Sequence, residues 1–233
     1  MNNALVSVIM SAHNAEKTIE KSIKSLLNQT YKNLEILLVD DFSSDGTFEI
    51  CNDFQKNNKN ITLFRNDKNI GLTRSLNYLI NEAKGEYIAR QDADDISSEK
   101  RIQIQLNFLF ENNLDACSSR AYILETNKIT PSKSFYLPKR IIMKIKNPFI
   151  HGTLLINKKV IEDIGSYDEE FYYSQDYKLM SDLLEKNYKI KIIKEPLYYL
   201  NMKGNISINQ KEEQKYYADC VRKKIKPIKI NKQ

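Results

Sequence analysis

Long apolar runs are absent from this sequence. No stretch of the 233 residues approaches the roughly 18 uninterrupted apolar positions that a membrane-spanning helix needs. Residues 1–14 contain no basic leader and run directly into a strand-like segment, so we do not expect a secretory signal peptide. These two absences predict a protein that works in the cytoplasm.

Cysteines are few, and their spacing is uninformative for bonding. The chain has three of them, Cys51, Cys117 and Cys220, an odd number spread far apart. This pattern fits neither a disulfide framework nor a zinc site. We expect reduced thiols, as in other cytosolic proteins.

Glycine-rich phosphate-binding loops are also missing. Neither GxGxxG nor GxxxxGK[ST] occurs anywhere in the chain. A Rossmann dehydrogenase and a P-loop kinase are therefore disfavoured, and a nucleotide bound to this chain would need another way to hold its phosphates.

The charge that is present is concentrated near the C-terminus. The net charge is +6, and residues 222–232 carry six basic residues and no acidic one. Two interpretations are open for the tail: a solvated end, or attraction to an anionic membrane surface or acceptor lipid. Nucleic acid is not expected as a partner, because no aromatic residues interleave with the basic run. Residues 210–233 read as an amphipathic helix with a basic end, for membrane docking, a homodimer contact or neither.

The first 114 residues alternate between strand-like and helical patterns. Apolar runs predict strands, and 3.6-residue periodicity predicts helices, with Ile19, Ile23, Leu26 and Leu27 on one face of the first. This alternation predicts an α/β fold with a mainly parallel sheet covered by helices on both faces. Gly85 is a candidate C-cap for the third helix. The predicted strands are 5–12, 34–41, 61–66 and 86–90, and the helices are 15–29, 43–58, 71–85 and 97–113.

After residue 113 the rhythm changes. A strand at 115–125, a polar loop at 132–140, a short helix at 139–146, a strand at 152–157 and helices at 158–165 and 174–187 are predicted. We divide the chain at residue 114 into two halves of one domain, with the second half ending near residue 208 and a basic helix or tail at 209–233.

Polar and acidic clusters follow three of the predicted strands. The first strand runs into residues 11–14, the second into Asp40 and Asp41, and the fourth into residues 91–95. Ligands of open parallel sheets bind beyond the carboxyl ends of the strands, so one rim of the sheet would carry all three clusters.

The cluster after the fourth strand suits a metal ion. In an extended segment Asp92 and Asp94 point the same way. Their hard oxygen donors suit Mg²⁺ or Mn²⁺, with the remaining positions left to water and phosphate, which is useful when the substrate brings a diphosphate. The alternative is a solvated acidic turn in which Asp95 or Ser98 caps the next helix.

Three stretches together resemble one enzyme family. Residues 6–47, VSVIMSAHNAEKTIEKSIKSLLNQTYKNLEILLVDDFSSDGT, resemble the opening of the family 2 glycosyltransferases of GT-A fold. Residues 69–105, with the DXD motif and an Arg-x-x-x-Gln, resemble their middle, and residues 149–179 are similar to their acceptor-side segment. The resemblance covers about residues 5–207. It implies a GT-A (Rossmann-like) sheet with a smaller acceptor-side subregion, a nucleotide-sugar-binding half before residue 114 and an acceptor half after it.

The resemblance also implies site residues. Asp176 would be the catalytic base, and Asp94, with Asp92, would hold the divalent metal. The implied donor-binding residues are Ala12, His13, Asn14, Glu16, Asp40, Asp41, Gly71, Leu72, Arg74, Asp92 and Ala93. Without the resemblance, Asp176 would read as an aspartate stabilised at a helix N-terminus.

The implied activity is that of an inverting hexosyltransferase-type enzyme. It would move a sugar from a UDP-sugar to a hydroxyl of a lipid-linked bacterial surface glycan, such as lipopolysaccharide or capsule, at the cytoplasmic face of the inner membrane. A carboxylate within reach of the attacking hydroxyl can take its proton as the new bond forms.

The chain departs from the family pattern in two places. Gln175 stands where the family usually has Glu before the base. Leu200 and Met202 stand in the stretch where many relatives carry Tyr-Arg-x-His, and Lys203 is a candidate substitute for that histidine. His13 is expected in the nucleotide wall, while His151 reads equally as structural or acceptor-binding.

Two alternative functions are open. A sugar nucleotidyltransferase would use a metal on a similar sheet, but such enzymes usually open with a Gly-rich basic loop, unlike SAHNAEKT. A non-catalytic sugar-nucleotide-binding partner of another transferase is favoured by Gln175 and the missing histidine, and disfavoured by the DXD motif and Asp176.

Overall fold

One mixed sheet organises the chain. A computed structural model describes residues 3–203 and 211–228. Within them, nine strands run in the order β3-β2-β1-β4-β8-β6-β9-β5, with β7 beside β6. The strands are β1 Val6–Ala12, β2 Leu34–Asp40, β3 Ile61–Arg65, β4 Tyr87–Arg90, β5 Ile96–Ser97, β6 Ala116–Ile123, β7 Ile129–Thr130, β8 Leu155–Asn157 and β9 Ile190–Leu200.

Helices cover both faces of this sheet. They are α1 Ile19–Leu27, α2 Thr47–Asn57, α3 Leu72–Glu82, α4 Arg101–Glu111, α5 Lys139–Ile142, α6 Lys158–Asp163, α7 Gln175–Glu185 and α8 Lys211–Lys223, with short 3₁₀ turns at Lys133–Tyr136 and His151–Thr153. None of the helices in the described ranges is both long and apolar enough to cross a membrane.

The four strands predicted in the first half are confirmed and run parallel. Val8 of β1 pairs with Ile36 of β2 on one side and Ala89 of β4 on the other. β1 and β2 are buried along almost their whole length, because apolar, often β-branched residues stand on both faces. Since β2 and β3 lie on one side of β1 and β4 on the other, the strand order reverses beside β1, where a ligand crevice is expected.

Each face of the sheet has its own apolar core. On one face Ile19, Ile23 and Leu26 of α1 are buried with Leu106 of α4, which confirms the predicted face of the first helix. On the other face α3, α6, α7 and α8 contribute, for example through Leu76 and Met180. The sheet therefore forms a rigid floor whose strand ends are free to carry a site.

The second half of the sheet is not simply parallel. β8 runs antiparallel to β4 and β6, whereas β6 and β9 are parallel with a register shift near Pro196. The eleven-residue strand β9 was not predicted. Its middle, Lys194-Glu195-Pro196, interrupts the apolar pattern, and proline in a strand is tolerated where the ladder is irregular.

Several predicted boundaries need correction. Gly85 is not the C-cap of α3, which ends at Glu82 with Ala83 as its cap. Instead a Cβ on Gly85 would lie 2.6 Å from the backbone nitrogen of Ser7, so glycine allows β1 to approach. The predicted loop at 132–140 contains a 3₁₀ turn, and the helix predicted at 139–146 is assigned only over Lys139–Ile142.

The helix predicted near the C-terminus is confirmed as α8, Lys211–Lys223. The boundary predicted at 208–209 and the end of the basic tail, 229–233, lie outside the described residues. The division of the chain at residue 114 stays a prediction.

Candidate active site

A cleft of about 750 Å³ opens at the carboxyl ends of β1, β2 and β4. Nine predicted site residues line it: His13, Asn14, Glu16, Asp41, Gly71, Leu72, Asp92, Ala93 and Asp94. The remaining lining residues are Ser11, Ala15, Lys17, Thr18, Asp45, Asn69, Tyr172, Asn201 and Lys203. The sheet thus gathers side chains that are far apart in sequence.

The carboxylate of Asp41 shapes the floor of the cleft. Its Oδ1 accepts hydrogen bonds from Asn66 Nδ2 at 2.8 Å and from the Ile70 backbone N–H at 2.9 Å, and its Oδ2 accepts one from the Gly71 N–H at 2.9 Å. Gly71 has φ +85°, a conformation that favours glycine. Asp41 therefore fixes the turn that leads into α3.

His13 and Asn14 form a hydrogen-bonded wall. His13 Nδ1 lies 2.9 Å from the carbonyl oxygen of Asp41, which can only accept, so Nδ1 carries a proton. His13 Nε2 lies 3.2 Å from Asn14 Nδ2, while Asn14 Oδ1 accepts from the Ser44 N–H at 2.9 Å. These contacts are satisfied by a neutral imidazole protonated at Nδ1.

Glu16 joins the wall to the start of α2. Its backbone N–H donates to Asp45 Oδ2 at 3.1 Å, and its own Oε2 accepts from the Gly46 N–H at 3.3 Å. A carboxylate is favoured there because the free N–H groups of a helix start carry partial positive charge.

Three predicted donor residues lie outside the cleft lining. Asp40 is fully buried, and its Oδ2 lies 3.3 Å from Arg65 Nε. Ala12 is buried, and its carbonyl accepts from the Asp41 N–H at 2.8 Å. Arg74 forms an ion pair with Glu169 at 3.2 Å. Ala12 contacts Asp41 and Asp40 precedes it in sequence, whereas neither Arg74 nor Glu169 lines the cleft.

Three carboxylates crowd the loop after β4. Arg90, which is buried, donates to Asp92 Oδ1 at 2.5 Å. Burial and the nearby Asp92 charge raise the pKa of Asp94 to about 6. Burial and both neighbouring carboxylates also raise the pKa of Asp95, whose Oδ1 accepts from the Asn201 N–H at 2.7 Å. The cluster therefore holds negative charge that a cation would stabilise.

Buried polar groups hold this loop in shape. Gln91 Nε2 donates to Ser22 Oγ at 3.0 Å and to the Asp95 carbonyl at 3.0 Å. The Asp92 N–H donates to the hydroxyl of Tyr198, which is fully buried on β9, at 3.0 Å. A Cβ on Gly152 would lie 2.5 Å from the Tyr198 hydroxyl and 2.6 Å from Asp92 Oδ2, so only glycine fits there.

The donor set of the loop suits a divalent cation shared with a substrate. In the part of the chain that the structure describes, no side chain donates a hydrogen bond to the Asp94 carboxylate, and it lines the cleft. Within the same residues, no group of three or more His, Cys, Asp or Glu side chains could ligate one ion. In phosphate-handling sites Mg²⁺ is usually bound by one or two protein carboxylates, and water and phosphate fill its remaining coordination positions.

Asp176 lies in the first turn of α7, on the acceptor side of the predicted division. Its Oδ2 accepts from Asn147 Nδ2 at 2.8 Å. Burial raises its pKa, and the Asp92 charge acts in the same direction, so the two carboxylates interact through space. Ser174, with φ 58°, turns the chain into the helix. Asp176 does not line the cleft itself.

His151 is a half-buried, neutral side chain within reach of the charges of Arg90 and Asp92. Burial lowers its pKa to about 3, with the Arg90 charge acting in the same direction. Its Nε2 lies 2.7 Å from the hydroxyl of Tyr167. Of the two roles that the sequence left open, these contacts favour the structural one.

The C-terminal end of β9 supplies residues that sequence reasoning largely missed. Asn201 and Lys203 line the cleft, and both also line an adjoining cavity of about 320 Å³ beyond Asp94. Met202 donates its N–H to Glu125 Oε1 at 3.0 Å. The sequence singled out Met202 and Lys203 but not Asn201, because β9 itself was not predicted.

Comparisons with known proteins agree with this geometry. The model of the family "Glycosyl transferase family 2" matches residues 7–165. An uncharacterized glycosyltransferase of Methanocaldococcus jannaschii is 33% identical over 230 residues, 94% of this chain and 78% of that protein. The UDP-Glc:alpha-D-GlcNAc-diphosphoundecaprenol beta-1,3-glucosyltransferase WfgD of Escherichia coli is 31% identical over 190 residues, 80% of this chain and 72% of that protein.

A solved structure supports the same fold. The mannosyltransferase PcManGT from Pyrobaculum calidifontis, in complex with GDP-Man and Mn²⁺, superposes with a TM-score of 0.75 at 17% identity, over 97% of this chain and 67% of that one. At this identity the likeness establishes the fold, and the predicted GT-A fold class is confirmed. The matches to two other curated relatives span 59% and 46% of those proteins' own lengths.

Proposed function

The chain belongs to glycosyltransferase family 2, and we propose that it transfers a sugar from a UDP-sugar to a hydroxyl of a lipid-linked bacterial surface glycan, with inversion and with a divalent metal. The name of the relative WfgD, which specifies a UDP-sugar and a diphosphoundecaprenol acceptor, supports this choice of donor and acceptor.

The observation that carries the proposal is the crowded acidic loop at the strand-order reversal. Asp92, Asp94 and Asp95 follow β4 where the cleft opens, and burial, together with the charge of Asp92, raises the pKa of Asp94. A solvated acidic turn would not be buried enough to raise that pKa to about 6. An Mn²⁺ or Mg²⁺ ion held by Asp94, with Asp92 beside it, would neutralise charge on the departing diphosphate.

The donor would occupy the cleft lined by His13, Asn14 and Glu16, with Leu72 and Ala93 against it. Asp41 would hold the turn at Gly71 in place and would also contact the nucleoside. Ala12, Asp40 and Arg74 would act through the neighbours they hold. In our proposal, Lys203 takes part in neutralising the diphosphate, in the stretch where many relatives carry a histidine.

Asp176 would take the proton of the acceptor. In this step the acceptor hydroxyl oxygen forms a bond to the anomeric carbon, the bond from that carbon to the diphosphate oxygen breaks, and the hydroxyl proton moves to Asp176. UDP leaves on the opposite face, so the anomeric configuration inverts. Burial raises the pKa of Asp176 and makes it a stronger base than a solvated carboxylate. Asn147 orients the carboxylate through Oδ2, and the Tyr177 backbone N–H also hydrogen-bonds to it.

We further propose that the protein works at the cytoplasmic face of the inner membrane, where a lipid-linked acceptor would be found. We also propose that the chain forms a homodimer, and we assign no surface to that contact.

The test is UDP release from a panel of UDP-sugars with Mn²⁺, Mg²⁺ or EDTA, with and without a lipid-diphosphate acceptor. Asp94→Ala and Asp176→Asn should each abolish turnover of the one accepted donor. Asp53→Asn, at an exposed carboxylate on α2, is the matched control and should retain activity. Binding of UDP with metal but no cleavage of any donor would instead establish the non-catalytic alternative.

A further inference from the structure

Residues 133–146, here called the 133–146 segment, expose an unusual amount of apolar surface. Four of the eleven large apolar side chains that are exposed among the described residues lie within ten positions: Tyr136 (71%), Leu137 (48%), Ile141 (57%) and Ile145 (65%). Leu137, Ile141 and Ile145 are spaced four residues apart, while Ile142 and Met143 between them are buried. A concentrated exposed apolar patch of this kind marks an interaction surface.

The same segment is basic throughout. Its basic residues are Lys133, Lys139, Arg140, Lys144 and Lys146, and residues 126–161 contain no Asp or Glu. Within residues 3–203 and 211–228, none of these five forms an ion pair. Arg140 donates to the neutral Asn187 at 2.7 Å. No acidic side chain in the described part of the chain therefore neutralises the positive charge of the segment.

The basic run near the C-terminus differs in this respect. Arg222 pairs with Asp219, Lys224 with Glu185 at 3.2 Å, and Lys226 with Glu170 at 3.1 Å. Exposed pairs of this kind are weak, but they reduce the net positive field of the described part of the run. The sequence left two interpretations of the tail open, a solvated end or an anionic membrane contact, whereas the folded chain presents unpaired positive charge at the 133–146 segment.

The segment is directly connected to the proposed catalytic base. Asn147, the next residue, donates to Asp176 Oδ2 at 2.8 Å. The hydroxyl of Tyr177, the neighbour of Asp176, donates to the Met143 carbonyl. A partner that binds along this segment would consequently lie beside the acceptor side of the site.

We propose that the 133–146 segment is the surface by which this chain lies on an anionic phospholipid bilayer. The apolar side chains enter the interface between headgroups and acyl chains, and the basic residues around them meet the anionic headgroups. The benefit for a lipid-linked acceptor rests on the proposed function, because docking would hold the lipid diphosphate beside Asp176. The docking itself does not depend on catalysis.

The test is cosedimentation with vesicles of phosphatidylcholine alone or mixed with phosphatidylglycerol. Wild type should bind the mixed vesicles and lose binding as salt is raised. The triple variant Lys133→Gln/Lys144→Gln/Lys146→Gln should bind them about a hundredfold more weakly, at about fivefold for each charge removed. The double variant Ile141→Ser/Ile145→Ser should also bind more weakly, with its salt dependence retained.

The matched control is Lys223→Gln/Lys224→Gln/Lys226→Gln, which removes the same charge from the C-terminal run. It should bind close to wild type, and an equal loss in both triple variants would overturn the assignment to the 133–146 segment. Equal binding of wild type and Lys133→Gln/Lys144→Gln/Lys146→Gln would also overturn it. The assignment would also be overturned if the wild type is a dimer without vesicles and the Ile141→Ser/Ile145→Ser variant is a monomer. In that case a second copy of the chain, and not a bilayer, would cover the segment.

A parallel readout separates this proposal from the proposed function. UDP release without any acceptor lipid should be the same for wild type and for the Lys133→Gln/Lys144→Gln/Lys146→Gln variant, whose unfolding midpoint should also be unchanged. If no donor is cleaved but the vesicle results hold, the transferase proposal fails and the docking surface stands. If donors are cleaved but vesicles are not bound, the docking proposal fails and the transferase proposal stands.

Discussion

Gly152→Ala should displace the acidic loop that follows β4. The new Cβ would lie 2.5 Å from the Tyr198 hydroxyl and 2.6 Å from Asp92 Oδ2, against about 3.4 Å for an ordinary contact. Both neighbours are held: Tyr198 is fully buried, and Asp92 is paired with Arg90. The clash must therefore move the loop or the strand that carries Tyr198.

The magnitude follows from two effects. Overpacking a close-packed site costs about 1–3 kcal/mol. Losing the hydrogen bond from the Asp92 N–H to Tyr198 adds about 1 kcal/mol, so Gly152→Ala should lower the free energy of unfolding by about 2–4 kcal/mol. Tyr198→Phe alone leaves that N–H without its acceptor and should cost about 1–3 kcal/mol. In the double variant the clash with the hydroxyl is gone and the Asp92–Tyr198 hydrogen bond is lost only once, although Tyr198 Cζ at 2.8 Å and Asp92 Oδ2 at 2.6 Å still crowd the Cβ. The cost of the double variant should therefore fall short of the sum of the two single costs by about 1 kcal/mol.

Urea denaturation of the four proteins measures this cycle. Gly46→Ala is the control, because its Cβ would meet the far end of the flexible Glu16 side chain, at 3.1–3.3 Å. This substitution should change the free energy of unfolding by less than about 0.5 kcal/mol. Strict additivity of the Gly152 and Tyr198 substitutions, or no loss of stability from Gly152→Ala, would refute the reasoning about this contact.

Three further outcomes are expected. With EDTA at pH 8, Asp94→Asn should stabilise the fold by about 1–3 kcal/mol in thermal or urea unfolding, because its pKa is raised to about 6; the gain should vanish towards pH 4, where the carboxyl is protonated. Asp41→Asn should cost about 2–4 kcal/mol and weaken UDP binding by calorimetry, since an amide cannot accept all three hydrogen bonds, whereas exposed Asp53→Asn should change neither. His151, with a pKa of about 3, stays neutral in the folded protein but gains a proton on unfolding below about pH 6.5. The free energy of unfolding of the wild type should therefore fall by about 1.4 kcal/mol per pH unit from pH 6 towards pH 3, relative to that of His151→Gln.

The first half of the fold and the enzyme class could be predicted from the sequence because their signals are local. β1, β2 and β4 are short apolar runs with polar residues at one end, and parallel pairing brings those ends together. The family resemblance supplied the glycosyltransferase class, which the family match confirms. The roles of Asp94 and Asp176 stay predictions.

The rest depends on contacts distant in sequence. Tyr198 and Asn201 reach the acidic loop only because β9 pairs with β5 and β6, and no local pattern indicates that pairing. Asp40 and Asp41 are adjacent and chemically identical, yet one is buried against Arg65 and the other lines the cleft. Side-chain direction at the end of a strand decides between them, because successive residues point to opposite faces.

Calorimetry of UDP binding, with Mn²⁺ and with EDTA, tests the central claim that metal binding and proton removal belong to different carboxylates. Mn²⁺ should tighten UDP binding to wild type and to Asp176→Asn alike, although Asp176→Asn no longer turns over donor. It should not tighten binding to Asp94→Asn. The claim would be contradicted if EDTA leaves the wild-type affinity unchanged, or if Asp176→Asn loses the effect of the metal while Asp94→Asn keeps it.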